Sequence, residues 1–501
     1  MNILLLYPNC PDDTFWSLKH ALPFIRSKSA YPPLGLLTVA AMLPVQWDKK
    51  LVDMNVKELK DEDIAWADLV FIGAMAIQNS SALQIIKRCK LLNKKIVAGG
   101  PLFMSDAPDF EKVDHILIGE VEDILPLFLK DMEAGTAERI YSSKEYPDIS
   151  KTPAPMWSLI NLKNYSTMSL QYSRGCPFNC EFCQVIAING RVPRTKSPEQ
   201  MMLEFEALYN AGWRGTVFMV DDNFIGNKAS ASKILILLTE WQKRKNYPFL
   251  FITQVSIDLA DNPQLMKMMS EANFSQVFIG IETPNTDSLN ECDKKQNLKM
   301  DLVNAVKRIN NNGLQVTAGF IVGFDSDPKN IFDLQIDFIR KAGIVTAMVG
   351  VLNALPGTKL WDRLKKDNRM RVRDTSGDSL DGETNIITLM GAEKLRTGYR
   401  KILAELYSKK NYYKRINTLL ESYCPSSISR FKKRDIYTFF KVIWEIGILS
   451  GGERILFWKM FIKTLLTRRR VFPDVMACII LGFHFYSVCD SHNISIKPGL
   501  N

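Results

Sequence analysis

Residues Gln171 to Val185 read QYSRGCPFNCEFCQV. The stretch sets Cys176, Cys180 and Cys183 on one short loop, spaced C-x3-C-x2-C, behind the strand pattern Thr167–Tyr172. Thiolates are soft ligands, and cysteine is the usual residue for holding an iron–sulfur cluster. A cubane [4Fe–4S] cluster has four irons, so three cysteines leave one iron open to a substrate or cofactor. A structural zinc site wants four Cys/His ligands. No fourth cysteine or histidine lies near the loop, the closest histidines on either side being His115 and His484. A disulfide pair would leave one cysteine over and would need an oxidising compartment.

Downstream of the loop a β/α series runs to about Leu364. It alternates strand patterns (Thr216–Val220, Phe249–Gln254, Gln276–Ile281, Leu314–Val322, Val345–Leu352) with helical ones (Ser197–Asn210, Ala229–Lys245, Pro263–Glu271, Met300–Asn312, Lys329–Ala342). Six strands in this order predict an open (β/α)6 partial barrel of the TIM type, with chemistry at the carboxyl ends of its strands.

On these residues the chain resembles the radical S-adenosylmethionine (SAM) enzymes. In that family the open iron is chelated by the amino and carboxylate groups of SAM, and an electron from the cluster splits the sulfonium to a 5′-deoxyadenosyl radical. The resemblance implies SAM contacts at Asp221, Asp222 and Asn223, where a carboxylate suits the ammonium group. An Asp/Asn-rich turn gives the same pattern with no ligand at all. Glu282, ending IGIET, would meet the ribose hydroxyls, or serve equally as an ion-pair partner. Gly319, Ile321 and Gly323 in TAGFIVGFDSD would line the adenine, with Phe182 against it, and Leu355–Thr358 resembles the turn that ends the last barrel strand.

Ahead of the barrel, residues 1–140 alternate short apolar strands (Ile3–Tyr7, Lys50–Val52, Leu69–Ala74, Lys95–Ala98, His115–Ile118) with helices (Leu34–Leu43, Ser81–Leu92, Ile124–Glu133). That predicts a Rossmann-like doubly wound parallel sheet with ligands beyond the strands' carboxyl ends. The stretches YPPLGLLTVAAML, LVDMNV, IGAMAIQNSSALQI and VAGGPL resemble the cobalamin-binding domain fused to many radical SAM enzymes. The resemblance implies corrinoid contacts at Asp53, Asn55, Gln78, Ser80, Gly99, Gly100, Gly119 and Glu120. The motif D-x-H-x-x-G, which supplies a lower axial histidine, is missing; His20 and His115 lie outside any such pattern. A domain of this type that holds no cobalamin is the other reading. Residues 141–163, with Pro147, Pro153 and Pro155, read as a linker in which Trp157 and Leu159 are packing residues.

From residue 369 a mostly helical domain is expected, opening on the polar stretch 371–385 as a loop at the site's mouth. Its run TNIITLMGAEKLRTGYRKILAELYSKKNYYKRI resembles the domain of unknown function shared by hopanoid methylases and their relatives. Between Gly391 and Arg470 stand 19 Lys/Arg against 6 Asp/Glu, so the rest of this +10 chain is slightly acidic. Phe439, Phe440, Trp444, Phe457, Trp458 and Phe461 interleave with Lys433, Arg434 and Arg468–Arg470. This reads as a helical cap with a solvated basic face, or as a surface that lies on an anionic membrane. No nucleic-acid reader motif accompanies the charge, so no nucleic acid is expected. No uninterrupted apolar run reaches the ~18–20 residues a membrane span needs, Val475–Cys489 being broken by His484. With nine cysteines and no framework spacing, the expected location is the cytoplasm, or peripherally at a membrane.

The expected activity is therefore radical SAM chemistry, with a [4Fe–4S] cluster, SAM and cobalamin as cofactors. The reaction would be methylation of an unactivated carbon in a small molecule or lipid, with a flavodoxin- or ferredoxin-like electron donor. Radical C–C coupling, cyclisation or rearrangement without methyl transfer is the alternative, and an iron–sulfur sensor the non-enzymatic one.

Overall fold

The computed structural model describes residues 1–104, 110–371, 380–429 and 432–494. Contacts group the chain into two compact units, one of Met1–Asp12, Ser27–Leu170 and Arg194–Arg214, the other of Asp13–Arg26, Gln171–Pro193 and Gly215–Asn501.

In the first unit β1 (Asn2–Tyr7), β2 (Asp48–Asp53), β3 (Leu69–Gly73), β4 (Lys95–Gly99), β5 (His115–Ile118) and β6 (Ile140–Ser142) form a parallel sheet ordered 2-1-3-4-5-6. Leu5 pairs with Leu51 on one side and Phe71 on the other. Ile3, Leu4, Leu5 and Leu6 are all fully buried, as strands covered on both faces require. Helices α1 (Leu34–Met42), α2 (Asp61–Trp66), α3 (Asn79–Leu91) and α4 (Val121–Ala134) make the crossovers. The strand order reverses beside β1, which opens a crevice at the carboxyl ends of β1 and β3.

The stretch expected as a linker is instead packed structure. It contributes β6 and three short 3-10 turns, capped by Asp148 on Ser150 and Asn161 on Lys163. Trp157 is buried, and the Met156 N–H donates to the Leu37 carbonyl. Its prolines forbid helix, but side-chain caps satisfy the backbone without one.

The second sheet runs β14-β13-β12-β11-β10-β7, the sequential order of a half-barrel. Its strands are β7 (Thr167–Leu170), β10 (Gly215–Met219), β11 (Phe249–Val255), β12 (Phe274–Glu282), β13 (Gln315–Val322) and β14 (Ala347–Val351). The two-residue strands β8 (Ser173–Arg174) and β9 (Arg194–Thr195) flank the cysteine loop, which also holds the short helix α5 (Val185–Asn189). Helix α6 (Pro198–Asn210) follows, with Ser197 as its cap. Then α7 (Lys228–Arg244), α8 (Pro263–Glu271), α9 (Thr286–Glu291), α10 (Leu302–Asn311) and α11 (Ile331–Ala342) alternate with the strands, and α12 (Lys359–Lys366) closes the series.

Helices α13 (Ala392–Leu406) and α14 (Lys409–Ser422) pack beside β14, the last strand of the sheet. The Tyr399 and Tyr407 hydroxyls donate to the Val349 and Ala347 carbonyls at 3.2 and 2.6 Å. Arg415 is 1% exposed and pairs with no acid among the described residues; it donates to the carbonyls of Ile344, Val345 and Leu406 and lies over Tyr407 and Tyr412. Beyond come α15 (Lys433–Val442), a π-helical continuation (Ile443–Leu449), α16 (Glu453–Thr467) and α17 (Phe472–Ser491).

The segment Arg469–Ser491 is long and apolar enough, by length and composition, to cross a membrane. Counting uninterrupted apolar residues missed it, because a helix averages its polar interruptions over the window. Eleven of the twenty residues of α17 are buried within the protein, His484 among them. It packs as a core helix. Phe15 stacks against Tyr407 and Phe485, each at 5.2 Å, and His484 Nε2 donates to the Phe15 carbonyl at 3.2 Å. Of the loop expected at 371–385, residues 372–379 lie outside the described residues.

Candidate functional site

The cysteine loop is held from below by the carboxylates that follow β10. Asp221, fully buried, accepts the Tyr172 N–H at 3.1 Å and the Ser173 N–H. Asp222 Oδ2 accepts the Gly175 N–H at 2.7 Å and the Asn189 side-chain amide at 2.9 Å. Asn223 is fixed in both directions to Ser256. Gly175 sits at φ +95°, where a Cβ would run into the Val192 and Asn189 carbonyls, so only glycine turns the chain here. Burial pushes the Asp221 carboxyl up to about 7, against the pull of its bonds to Ser173 and Tyr172. Both loop amides bond to Asp221 Oδ1, while Oδ2 is buried with no hydrogen-bond partner among the described residues. Of the three residues of that motif, only Asp222 keeps part of its surface.

From above, the loop is tied to α12. The Glu181 carbonyl accepts the Leu360 N–H at 3.1 Å, and its carboxylate takes a bidentate pair from Arg363 at 2.6 and 2.9 Å. Cys176, Cys180 and Cys183 are all free thiols, Cys180 buried and the other two partly so. Burial raises the Cys176 and Cys183 thiols, Cys183 to about 11. Among the described residues no three Cys, His, Asp or Glu side chains close on one point as a single metal ion requires. Three cysteines on one loop are a ligand set that suits an iron–sulfur cluster.

Beside the loop stands a residue that sequence reasoning missed. Lys294 Nζ lies 2.6 Å from Glu282 Oε1, with both side chains about nine-tenths buried. Burial pulls its pKa down, but the Glu282 carboxylate and then the Cys180 sulfur outweigh this, and the net shift is upward. Lys294 therefore stays a cation next to the thiols, 5.9 Å from the Phe182 ring. Nothing in the lysine-rich string CDKKQN marks this one of its two lysines as internal. Gln296, also buried, directs its amide at Cys180 Sγ at 3.7 Å. A further cysteine, Cys292, is buried nearby, but its thiol faces the Leu289 carbonyl of its own helix.

Glu282 ends β12 at φ +64°, an unusual conformation for a side-chain-bearing residue, where the pairing with β13 shifts register. A Cβ on Gly280 would collide with the Glu282 carboxylate and Lys294 Nζ. Glu282, Gly319 and Ile321 line one cavity of about 250 Å³, together with Phe278, Phe320, Met348, Phe15 and Trp16. Gly323 and Phe182 do not line it. The Gly323 N–H is held by Asp327 at 2.8 Å, and Phe182 packs against the cluster of Phe324, Leu352 and Leu360. Trp16, 56% exposed, enters this wall from the segment 13–26, which no barrel pattern in the sequence anticipates.

In the first unit the proposed corrinoid positions sit at the carboxyl ends of the strands, as the sheet order requires. Asp53, Asn55 and Gln78 form one network on the loop after β1. Asn55 and Gln78 donate to the Pro8 carbonyl at 3.1 and 2.6 Å, and Asp53 accepts from Asn55 and from the Tyr165 hydroxyl at 2.9 Å. Ser80 lies exposed in the first turn of α3. Gly99 ends β4 and Gly100 follows it; Gly119, at φ +99° with open space where a Cβ would be, and Glu120 follow β5. Glu120 is ion-paired with Arg194. His115 begins β5, at the opposite end of the strand, with Nδ1 on the Glu138 carbonyl at 2.6 Å. Among the described residues the crevice thus offers small residues and side-chain amides, a lining that suits a large flat ligand.

A parallel half-barrel with a three-cysteine loop beyond its first strand defines a class, and the model of the Radical SAM superfamily matches residues 170–339. The chain belongs to that superfamily. A second model, a domain of unknown function (DUF4070), matches residues 358–497. The chain is 39% identical to an uncharacterized methyltransferase of Synechocystis sp., over 97% of this chain and 91% of that one. It is 32% identical to the hopanoid C-2 methylase of Rhodopseudomonas palustris, over 96% and 92%. It is thereby a radical SAM enzyme of the methyltransferase group that contains these relatives. Among solved structures, the cobalamin-dependent SAM radical enzyme OxsB, with aqua-cobalamin and SAM bound, shares its fold at TM-score 0.62 and 15% identity, covering 98% of this chain and 80% of that one. The radical SAM methyltransferase TsrM of Kitasatospora setae, with cobalamin and [4Fe–4S] cluster bound, does so at 0.57 and 13%, covering 79% and 85%.

Proposed function

We propose that the chain is a cobalamin-dependent C-methyltransferase acting on an unactivated carbon of an apolar small molecule or lipid. The observation that carries the reading is the juxtaposition at the barrel mouth. A rigidly anchored three-cysteine loop and the buried Lys294–Glu282 pair stand beside a cavity whose walls are mostly aromatic and aliphatic. Cys176, Cys180 and Cys183 would hold the cluster. Asp222, Glu282, Gly319 and Ile321 would face SAM, with Gly323 and Phe182 supporting the strand end and loop behind them. Asp53, Asn55, Gln78, Ser80, Gly99, Gly100, Gly119 and Glu120 would surround cobalamin. When bound, the cluster with SAM would supply radical hydrogen abstraction and cobalamin a methyl donor.

The protein's own contribution is positional. Asp221, Asp222 and Arg363 hold the thiols still. Lys294 offsets negative charge that accumulates beside Cys180 and Cys183, and it orients the Glu282 carboxylate. The apolar walls keep water from a reactive carbon. An apolar substrate is supported by that lining and by the relative named a hopanoid C-2 methylase. The electron would come from a flavodoxin- or ferredoxin-like donor in the cytoplasm.

The test is anaerobic reconstitution with iron, sulfide, hydroxocobalamin, SAM and reductant, reading retained corrinoid, 5′-deoxyadenosine and S-adenosylhomocysteine. Corrinoid retained with both products is expected. Deoxyadenosine alone, with no corrinoid, would replace methylation by radical chemistry without methyl transfer. Cys176→Ala should lose the cluster's visible absorption and both products; full turnover in that variant would sink the assignment.

A further inference from the structure

Among the described residues 25 large hydrophobic side chains are exposed, and ten of them fall between Ile436 and Leu466. They lie on one helical hairpin. Its first arm is α15 with the π-helical Ile443–Leu449, its turn is Ser450-Gly451-Gly452, and its second arm is α16. The inner face is already filled: Val442, Ile446, Phe457, Met460 and Phe461 are buried, and the Trp458 indole N–H donates to the Gly447 carbonyl at 2.9 Å. The outer stripe is a second apolar face. Ile436, Phe440, Trp444 and Ile448 follow one another at four-residue steps, with Phe440 64% and Trp444 58% exposed, and Leu449 at the turn is 62% exposed. Ile455, Ile462 and Leu466 continue the stripe on α16, at 68, 51 and 69%. A helix apolar on both faces has its second face meant for something other than water.

Charge selects the occupant. Between Lys432 and Arg470 stand ten Lys/Arg and three Asp/Glu. Those three acids are engaged within the protein. Glu453 is buried and accepts from the Tyr413 and Tyr486 hydroxyls, Glu445 pairs with Lys441, and Asp435 accepts the Lys432 N–H. Lys433, Lys459, Arg469 and Arg470 are exposed around the stripe. A second copy of the chain docked face to face would bring like charges together, whereas an anionic phospholipid surface offers both an apolar interior and the opposite charge.

We propose that the hairpin Lys433–Thr467 is a peripheral membrane anchor that seats Phe440, Trp444, Ile448, Leu449 and Ile455 at the headgroup–acyl boundary of an anionic bilayer. The proposal stands on this surface alone and does not need the substrate to be a lipid.

The test is flotation of the full chain with phosphatidylcholine vesicles and with vesicles containing phosphatidylglycerol, at low and high salt, for the natural protein and for Trp444→Ser/Leu449→Ser and Lys459→Glu/Arg470→Glu. Binding to the anionic vesicles is expected, weakened about tenfold by either pair of changes and, for the natural protein, by salt. Unchanged far-ultraviolet circular dichroism and melting would show that the variants fold, and undiminished 5′-deoxyadenosine formation would show that catalysis is separate. Failure of the natural protein to float with anionic vesicles would overturn the proposal, as would equal flotation of the apolar variant. Equal binding to neutral vesicles would overturn the charge argument. A concentration-dependent dimer that Trp444→Ser/Leu449→Ser abolishes would give the face to a second copy instead.

Discussion

Lys294 and Glu282 form a buried pair, and the two possible ways of removing it predict different outcomes. Lys294→Met leaves the Glu282 carboxylate enclosed without its counter-charge, which costs about 3–5 kcal/mol of stability. Lys294→Met/Glu282→Gln removes both charges and should regain most of that loss, while 5′-deoxyadenosine formation stays abolished. Chemical denaturation of the three proteins beside a turnover assay checks it. A double variant as unstable as the single one would deny the pair its mutual dependence. A second residue-scale prediction concerns His484. Burial pushes its imidazole down to about 4, with the Phe15 carbonyl pulling the other way and His20 adding to the depression. Nδ1 accepts the His20 N–H while Nε2 donates to the Phe15 carbonyl, so the ring must be neutral. A depressed folded-state pKa means stability that is complete above about pH 6.5 and is lost as pH falls toward 4, up to about 3 kcal/mol. Melting temperature should therefore fall more steeply between pH 6.5 and 4.5 in the natural protein than in His484→Gln.

Helix packing decides the sign of one substitution that propensity alone would get wrong. Gly398 lies inside α13, where alanine is ordinarily worth about 1 kcal/mol more than glycine. Here an added methyl group would stand inside the buried Phe332 ring of α11. Overpacking of that kind costs about 1–3 kcal/mol, so Gly398→Ala should lower the melting temperature; a rise would mean that Phe332 moves aside freely. At this scale the sequence was informative wherever burial is uniform. Strands such as β1 and β11 are unbroken or alternating apolar runs, and helices such as α6 carry their caps in Ser197 and Pro198, so both could be read from local pattern. The three-cysteine loop was legible for the same reason: its spacing is local. What could not be read was whatever depends on distant partners. The strap carrying Phe15 and Trp16 is placed by α17, more than 450 residues away, and looks like an ordinary polar loop. The full burial of Asp221 likewise leaves no mark in the sequence. The prolines of 141–163 announce broken helix, but a segment without helix can still pack as ordered 3-10 turns.

For the molecule as a whole, the interleaving of its two units matters more than the boundaries that composition suggests. Residues 13–26 are built into the unit that holds the barrel, and residues 194–214 into the unit that holds the first sheet. A fragment ending at residue 163 would lack α6, β7 and Arg194, the partner of Glu120, and would leave Phe15 and Phe24 without the rings they pack on. Expressed alone, such a fragment should be recovered mostly as aggregate, measured as the soluble fraction beside that of the full chain. A well-folded soluble product would show that α6 and the strap are accessories.

The same interleaving sets a timetable for synthesis. Domains commonly fold in order as the chain leaves the ribosome, the first finishing before the second is made. Here the first unit cannot be completed until residue 214 has emerged, and Phe15 must wait for Phe485, made much later. Until then the aromatic strap lacks the ring it packs on. A cell making this protein would have to shield that strap until α17 arrives.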